Sequence, residues 1–306
     1  MAHDKHIIDN INKEINFQYP NLDSYLNLTS GFESRFDPVS IRIHDGVYVA
    51  REDKIPVGGS KARAGEYYFS MIEEDTVVYC MPRVGHAASA VISLCEMYNK
   101  NVVLFAPSCK EMSDHQAYAC DLIDKMPSHL SGKVIWRRIP AMPNLNRMAK
   151  NYADKYNYNF IPFGLNHPLV IAGYVRICQG ILSRKSMPYP DEIWSVVSTG
   201  VLTRGLQIGF EDAHMRGVAV ARNMKAGELG RTKIQSEDLA FTTEEKLKNL
   251  PPFDSVRTYD AKAWKYIPKD NKKVRLFWNV ASEIYLPEGF DKSKHDSFRE
   301  WGDDRE

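Results

Sequence analysis

Three short stretches hold residues whose types and spacing can do chemistry. The first is Gly58-Gly59-Ser60-Lys61, inside YVAREDKIPVGGSKARAGEYY, residues 48 to 68. A lysine after glycines can cradle a phosphate, form a Schiff base, or sit on a helix surface. Taken alone, the surface role is the default. The second is Ser198-Thr199-Gly200-Val201-Leu202-Thr203-Arg204-Gly205, between a strand pattern and a helix pattern. A small-residue turn there points backbone N–H groups at an anion, and the helix dipole adds attraction. It is not a Walker loop, because no Gly-Lys-Ser/Thr ends it. Its glycine spacing also departs from the dinucleotide fingerprint. The third is Pro82-Arg83-Val84-Gly85-His86, again between a strand and a helix of small residues. Anion binding fits it. So does a plain helix start in which the His86 ring is satisfied locally.

Elements must position these residues. SIRIHDGVYVARE alternates apolar and polar around Asp45-Gly46, which predicts a hairpin with a type I′ turn. KARAGEYYFSMIEE has helical periodicity. Strand patterns (DTVVYCMP, NVVLFAPS, KVIWRRIP) then alternate with helix patterns (GHAASAVISLCEMYNK, SDHQAYACDLIDKM, NLNRMAKNYADKY) to about residue 165. Ser113 is the expected N-cap of the second of these helices. The alternation resumes through NFIPFG, PLVIAGYVRICQGIL, EIWSVVSTG, LTRGLQIGFEDA and RGVAVAR. Residues 222–255 read as polar and irregular, or helical around TTEEKLKNL. KVRLFWNVAS is a last buried strand, and the charged tail from Asp291 a surface segment. Such alternation predicts an α/β fold with parallel sheets and right-handed crossovers. There is no internal repeat or low-complexity linker.

Composition excludes several classes. The 306 residues suffice for one large α/β domain or two lobes. Forty Lys+Arg against 39 Asp+Glu give a net charge of +1, so no global field favours nucleic acid or membrane. The N-terminus lacks the apolar core of a signal peptide, and no apolar run reaches the length of a membrane span. The cysteines, Cys80, Cys95, Cys109, Cys120 and Cys178, are odd in number and widely spaced. They read as reduced thiols of a cytoplasmic protein, and no paired Cys/His spacing suggests zinc or another metal.

Taken in order, the segments resemble a known family, the fold-type II pyridoxal 5′-phosphate (PLP) enzymes of the tryptophan synthase β-like group. The nearest likeness is to the branch of 1-aminocyclopropane-1-carboxylate deaminase and D-cysteine desulfhydrase, over roughly residues 40 to 282. VYVAREDKIPVGGSKARAGEYYF is similar to that branch's charged box and Gly-Gly-Asn-Lys segment, whose lysine carries the cofactor as an internal aldimine; the position here is Lys61. VGHAASAVISLCEMYNKNVVLFAP resembles its Ser-x-Asn-His segment, FIPFGLNHPLVIAGYVRICQGI its Pro-x-Gly … Gly-Tyr segment, and VVSTGVLTRGLQIGF its phosphate turn. YDAKAW resembles its Tyr-Glu-Gly-Lys stretch, and VRLFWNVAS its last strand.

The resemblance implies roles. Lys61 would bind the cofactor and move protons. Backbone groups of Thr199, Gly200, Val201, Leu202 and Thr203 would hold the phosphate. Asp260 would face the pyridine nitrogen, with Tyr259 beside it for ring packing or acid–base work. Gly85 would lie against the cofactor, Arg83 would bind the substrate carboxylate or equally a phosphate on a larger substrate, and His86 would be a nearby donor. The sequence departs from the pattern in three places. Gly85 stands where an asparagine is usual and Arg83 near the usual serine. Val201-Leu202 replace small or hydroxyl residues, and Asn279-Val280-Ala281-Ser282 replaces a His-Thr-Gly-Gly ending. Either the substrate differs from small free amino acids or cofactor binding is weakened.

The implied fold is a two-lobed α/β protein of three-layer open twisted sheets. The larger, PLP-binding lobe would span 1–64 plus 166–306, and the smaller inserted lobe 65–165. The implied function is a PLP-dependent lyase or deaminase working by α,β-elimination, or a β-replacement enzyme, on an amino-acid-like substrate. A homodimer is the family habit. The alternative is a degenerate member that binds a ligand or partner without PLP catalysis. A phosphoribosyl-type transferase is a third reading, but the acidic pair expected before its loop is absent. A nucleotide-linked or nucleic-acid substrate is a minor variant.

Overall fold

The computed structural model describes residues 22–108, 111–138, 141–221 and 229–295. The chain divides into two units. One comprises Met1–Tyr68 and Asn166–Glu283, the other Phe69–Leu165 and Ile284–Glu306.

The first unit begins with helix α1 (Leu22–Leu28) and a hairpin of β1 (Ile41–His44) and β2 (Val47–Arg51). Asp45 and Gly46 both take positive φ, 49° and 76°, as a type I′ turn demands. Helix α2 (Gly59–Ser70) follows. After the second unit come α6 (Pro168–Ser183), β7 (Glu192–Val197), α7 (Val201–Gly209), β8 (His214–Ala219), β9 (Lys233–Ser236), the short α8 (Ala261–Trp264) and β10 (Arg275–Asn279).

The six-stranded sheet has the order β1-β2-β10-β7-β8-β9. Only the β1–β2 pair is antiparallel. The last strand is thus threaded between β2 and β7. Its residues Arg275–Asn279 are all buried, as a central parallel strand requires. Val49, Val196, Val218 and Phe277 of the sheet pack on Ala263, Trp264 and Ile267. On helices, glycines permit close approach. A Cβ at Gly173 of α6 would stand 2.0 Å from the Ala64 carbonyl oxygen of α2, and one at Gly205 of α7 would stand 2.4 Å from Tyr174 Cβ of α6. Helix α6 therefore lies close against both α2 and α7.

The second unit alternates β3 (Thr76–Cys80), α3 (Ala87–Met97), β4 (Asn101–Pro107), α4 (Asp114–Asp124), β5 (Gly132–Arg137), α5 (Met142–Tyr156) and β6 (Asn159–Ile161). Its sheet is wholly parallel, in the order β5-β4-β3-β6. Val78, Cys80, Val103 and Phe105 meet Leu145, Ala149 and Ala153 of α5. Ser113 caps α4 through a reciprocal capping box with Gln116. The described cysteines are free and buried: Cys178 in the first unit, Cys80, Cys95 and Cys120 in the second. Burial pushes Cys80 and Cys120 up to about 12, and Cys95 and Cys178 higher still.

Two expectations fail. Residues 233–236 form edge strand β9, where the sequence reads as irregular. TTEEKLKNL yields one 3-10 turn, Leu247–Asn249, in place of a helix. Leu247 is 78% exposed, so no packing rewards a longer helix. The sequence reads residues 1–30 as a helix and an irregular polar lead-in; the part before Leu22, Cys109, and the tail beyond His295 lie outside the described residues. No described helix is long and apolar enough to cross a membrane. Among the described residues no group of His, Cys, Asp or Glu is arranged to hold a metal.

Candidate functional site

Parallel strands β2, β10 and β7 end side by side, with Asn279 in register with Arg51. In open α/β sheets the carboxyl ends of the strands are where ligands bind. Lys61 comes from the first turn of α2, shortly after β2 ends. The turn is fixed from several directions. The Ser60 N–H donates to the Val280 carbonyl at 2.7 Å, just past β10. Ser60 Oγ donates to Tyr174 Oη at 3.1 Å and accepts from Trp278 Nε1 at 3.2 Å. A Cβ on Gly59 would fall 2.2 Å from the same Val280 oxygen, so only glycine fits there. Lys61 is half-buried, and burial of its ammonium lowers its pKa from 10.5 to about 8.

Asp260 is wholly buried. Its Oδ2 accepts from the Val280 N–H at 2.8 Å and the Ala281 N–H at 3.3 Å. Its Oδ1 is buried without a hydrogen-bond partner among the described residues. Desolvation raises its pKa well above the carboxylate range, and the two N–H donors only partly oppose this. Two hydrogen bonds, from the Val280 N–H to the Asp260 carboxylate and from the Ser60 N–H to the Val280 carbonyl, thus connect the carboxylate to the residue before Lys61. Tyr259 is half-buried, with its ring edge-on to Phe241 at 6.1 Å. Burial above all holds its phenol protonated.

The turn from β7 to α7 carries Thr199 and Gly200. Gly200 is left-handed, φ 83°, and a Cβ there would lie 2.4 Å from Leu229 Cδ2. Arg204 is the first residue of α7 whose N–H finds a carbonyl in the turn, that of Gly200 at 2.9 Å. The N–H groups of Val201, Leu202 and Thr203 have no partner within the helix. The side chains of these three are buried. The Thr203 hydroxyl is occupied by Ser195 Oγ at 3.0 Å, which leaves its backbone as the available donor. Arg204 Nη1 donates to the Thr199 carbonyl at 3.0 Å. Helix α7 meets α6 at Gly205 and Tyr174, so Tyr174 ties this turn's helix to Ser60.

Arg83, Gly85 and His86 belong to the second unit, on the turn between β3 and α3. Arg83 is exposed, and its Nη2 donates to the Glu111 carbonyl at 3.2 Å. Its own carbonyl accepts from the Ser113 hydroxyl. Gly85 has φ 124°, and nothing lies within 4 Å of where a Cβ would be. His86 is the N-cap of α3, with its ring edge-on to His115 at 5.4 Å. Burial lowers the His115 pKa to about 4, so this second imidazole is neutral.

The sequence reading missed the groups that hold the strand ends. Arg51 and Asp53 form a buried two-pronged ion pair, Nε–Oδ1 2.7 Å and Nη2–Oδ2 2.7 Å. Asn279 Nδ2 donates to Asp53 Oδ1 at 2.9 Å and to the Asp254 carbonyl at 2.8 Å. Glu52, fully buried, accepts from Arg63 Nε at 2.7 Å. The Arg-Glu-Asp run is visible in the sequence. Its partners, 11 and 226 positions away, are not.

Solved structures share this fold. The chain is similar to an ACC deaminase homologue with a TM-score of 0.66 at 18% identity, over 86% of this chain and 95% of that one. It is similar to Escherichia coli diaminopropionate ammonia lyase in its apo form, TM-score 0.63 at 13% identity, over 94% of each. A pyridoxal 5′-phosphate-dependent aspartate racemase gives 0.54 at 13% identity, over 94% of this chain and 96% of that one. No protein-family profile and no curated protein sequence matches the chain.

Proposed function

We propose that the chain uses this fold as a PLP-dependent enzyme on an amino acid or amino-acid-like substrate. The reaction class is lyase or deaminase chemistry by α,β-elimination, or β-replacement. The observation that carries the reading is Lys61, a lysine on a turn pinned to the strand ends, whose pKa burial lowers to about 8.

The residues of the first unit fit the cofactor. Among the described residues Asp260 Oδ1 is a buried acceptor without a donor, and a protonated ring nitrogen would supply one. The N–H groups after Gly200, which find no partner within the helix, suit a phosphate. Lys61, at about 8, has roughly 300 times the neutral fraction at pH 7 of an ordinary lysine at 10.5. When bound, PLP supplies an electron sink for the bonds of the substrate α-carbon. Lys61 Nζ would hold the cofactor, then accept or return a proton at that carbon. Asp260 would keep the ring nitrogen protonated. Tyr259 can give a proton but not take one at neutral pH. On the resemblance alone, Arg83 would pair with the substrate carboxylate or a substrate phosphate, His86 would donate nearby, and Gly85 would lie against the cofactor.

A cytoplasmic location is part of this proposal, supported by the buried free thiols. A homodimer rests on the resemblance alone. A second reading, ligand binding without PLP catalysis, draws on the phosphate turn, where Leu229 crowds Gly200.

The test is a spectrum of the purified chain soaked in PLP, then borohydride reduction and peptide mapping. A yellow band that reduction fixes on Lys61, and that Lys61→Ala abolishes, is expected. A colourless protein, or label on another lysine, refutes the proposal. An amino-acid screen for ammonia or keto-acid release then separates elimination from replacement.

A further inference from the structure

The first unit has a cavity of about 590 Å³ to which nothing above assigns a role. Its walls come from α6, from α2 and from the 32–39 segment. That volume lies in the range of small-molecule sites, about 300–1,000 Å³. Two features set its chemistry. Phe32, Phe36 and Tyr67 line it, with Phe32 edge-on to Tyr67 at 5.1 Å. Arg63, Arg176 and Arg184 line it too.

The charges are not all spent. Arg63 is neutralised by Glu52 at 2.7 Å and lies over the Phe36 ring at 5.7 Å. Arg176 donates to the Phe32 carbonyl at 2.6 Å and lies 5.2 Å from the Phe32 ring centre. Neither Arg176 nor Arg184 has a carboxylate partner among the described residues. Among the described residues that line it, exposed Glu33 is the one acidic side chain.

Arg176, Gly180 and Arg184 stand four residues apart on one face of α6. The two arginines are about 12 Å apart along the axis, within the combined reach of their side chains. Arg184 folds back toward Arg176. Its Nη1 lies 3.2 Å from where a Cβ on Gly180 would be, so the glycine clears its path. Desolvation and the Arg63 charge both lower the Arg184 pKa, in line with a guanidinium turned into the cavity.

We infer that this cavity binds a small organic anion with a flat apolar body, its phosphate or carboxylate held by Arg176 and Arg184 and its ring by Phe32, Phe36 and Tyr67. The site is separate from Lys61 and does not depend on the PLP reading. It does touch α2, because Arg63 lies two residues after Lys61 and leaves the same helix. The ordinary alternative is that Arg184 only complements the negative end of α6, whose last turn it follows. That role affects stability and not ligand affinity.

The probe is phenyl phosphate, titrated into the full chain by isothermal calorimetry, with inorganic phosphate in parallel. Saturable binding of phenyl phosphate is expected, with inorganic phosphate weaker. Arg184→Gln and Arg176→Gln should each weaken it about tenfold, the loss of one charge-assisted contact. Lys61→Met should leave it unchanged, which separates this site from the proposed active site. Arg184 is exposed, so its variant tests the idea even if Arg176→Gln fails to fold. No binding, equal binding of inorganic phosphate, or affinity within twofold of wild type in Arg184→Gln overturns the inference. So does an Arg184→Glu variant that turns a dimer into a monomer while phenyl phosphate binds as before, since the face would then be an interface between copies.

Discussion

Replacing Lys61 with methionine should stabilise the chain at neutral pH. In the folded chain burial lowers the lysine from 10.5 to about 8. In the unfolded chain it keeps the ordinary value. Between those two values the unfolded chain binds the proton and the folded chain does not, so stability rises with pH across that window. Below about pH 8 both states hold the proton and the full cost of a buried charge is present. At about 1.4 kcal/mol per tenfold, the cost is on the order of 3 kcal/mol. Methionine keeps a long apolar stem and removes the charge. Lys61→Met should therefore exceed wild type by up to about 3 kcal/mol at pH 7, less any packing lost. The margin should shrink as pH rises toward 10. The assay is urea unfolding of both proteins, stripped of bound aldehydes, at a series of pH values from 7 to 10. A margin constant with pH refutes the reasoning, as does a wild type that is more stable at pH 7. Either result would also remove the argument that Lys61 is a poised nucleophile.

Asp53→Ala should cost about 3–5 kcal/mol in urea unfolding, because it leaves the Arg51 guanidinium buried without its carboxylate. Lys150→Ala, which breaks an exposed i,i+4 pair with Asp154, should cost under about 0.5 kcal/mol. Asp260→Asn should fold, because its amide oxygen can still accept from Val280 and Ala281. The wild-type carboxyl is raised in the folded state, so its contribution to stability is fully present below about pH 4 and falls as pH rises toward the folded value. Unfolding curves of the Asn variant from pH 4 to 7 should lose that decline. A variant with the wild-type slope would show that Asp260 is ionised on folding.

Much of this architecture is local in origin and so was legible. Asp45-Gly46 writes the hairpin, Ser113 with Gln116 writes a helix start, and apolar runs such as TVVYC and RLFWN write buried strands. Strand β9, KIQS, was not legible, because an exposed edge strand carries no apolar alternation. The Lys61, Asp260 and Gly200 segments could be picked out by residue type. What holds them could not: Tyr174 reaches Ser60 across 114 positions, and Trp278 reaches it across 218. Lys262 makes the same point. It looks like a surface lysine in YDAKAW, yet it is wholly buried and its Nζ donates to the Ala240 carbonyl at 2.8 Å.

The buried thiols turn the chain into its own stopwatch. Cys178 can meet a thiol reagent only when the first unit opens around α6, and Cys80 and Cys95 only when the second opens around β3 and α3. With Cys109 replaced by serine, one labelling time course followed by peptide mass would time the two units separately. Local openings range from nearly free to the full cost of unfolding. Two clearly different labelling rates would mean that one half of the chain breathes while the other stays shut, and would tell a protein engineer which half to brace first.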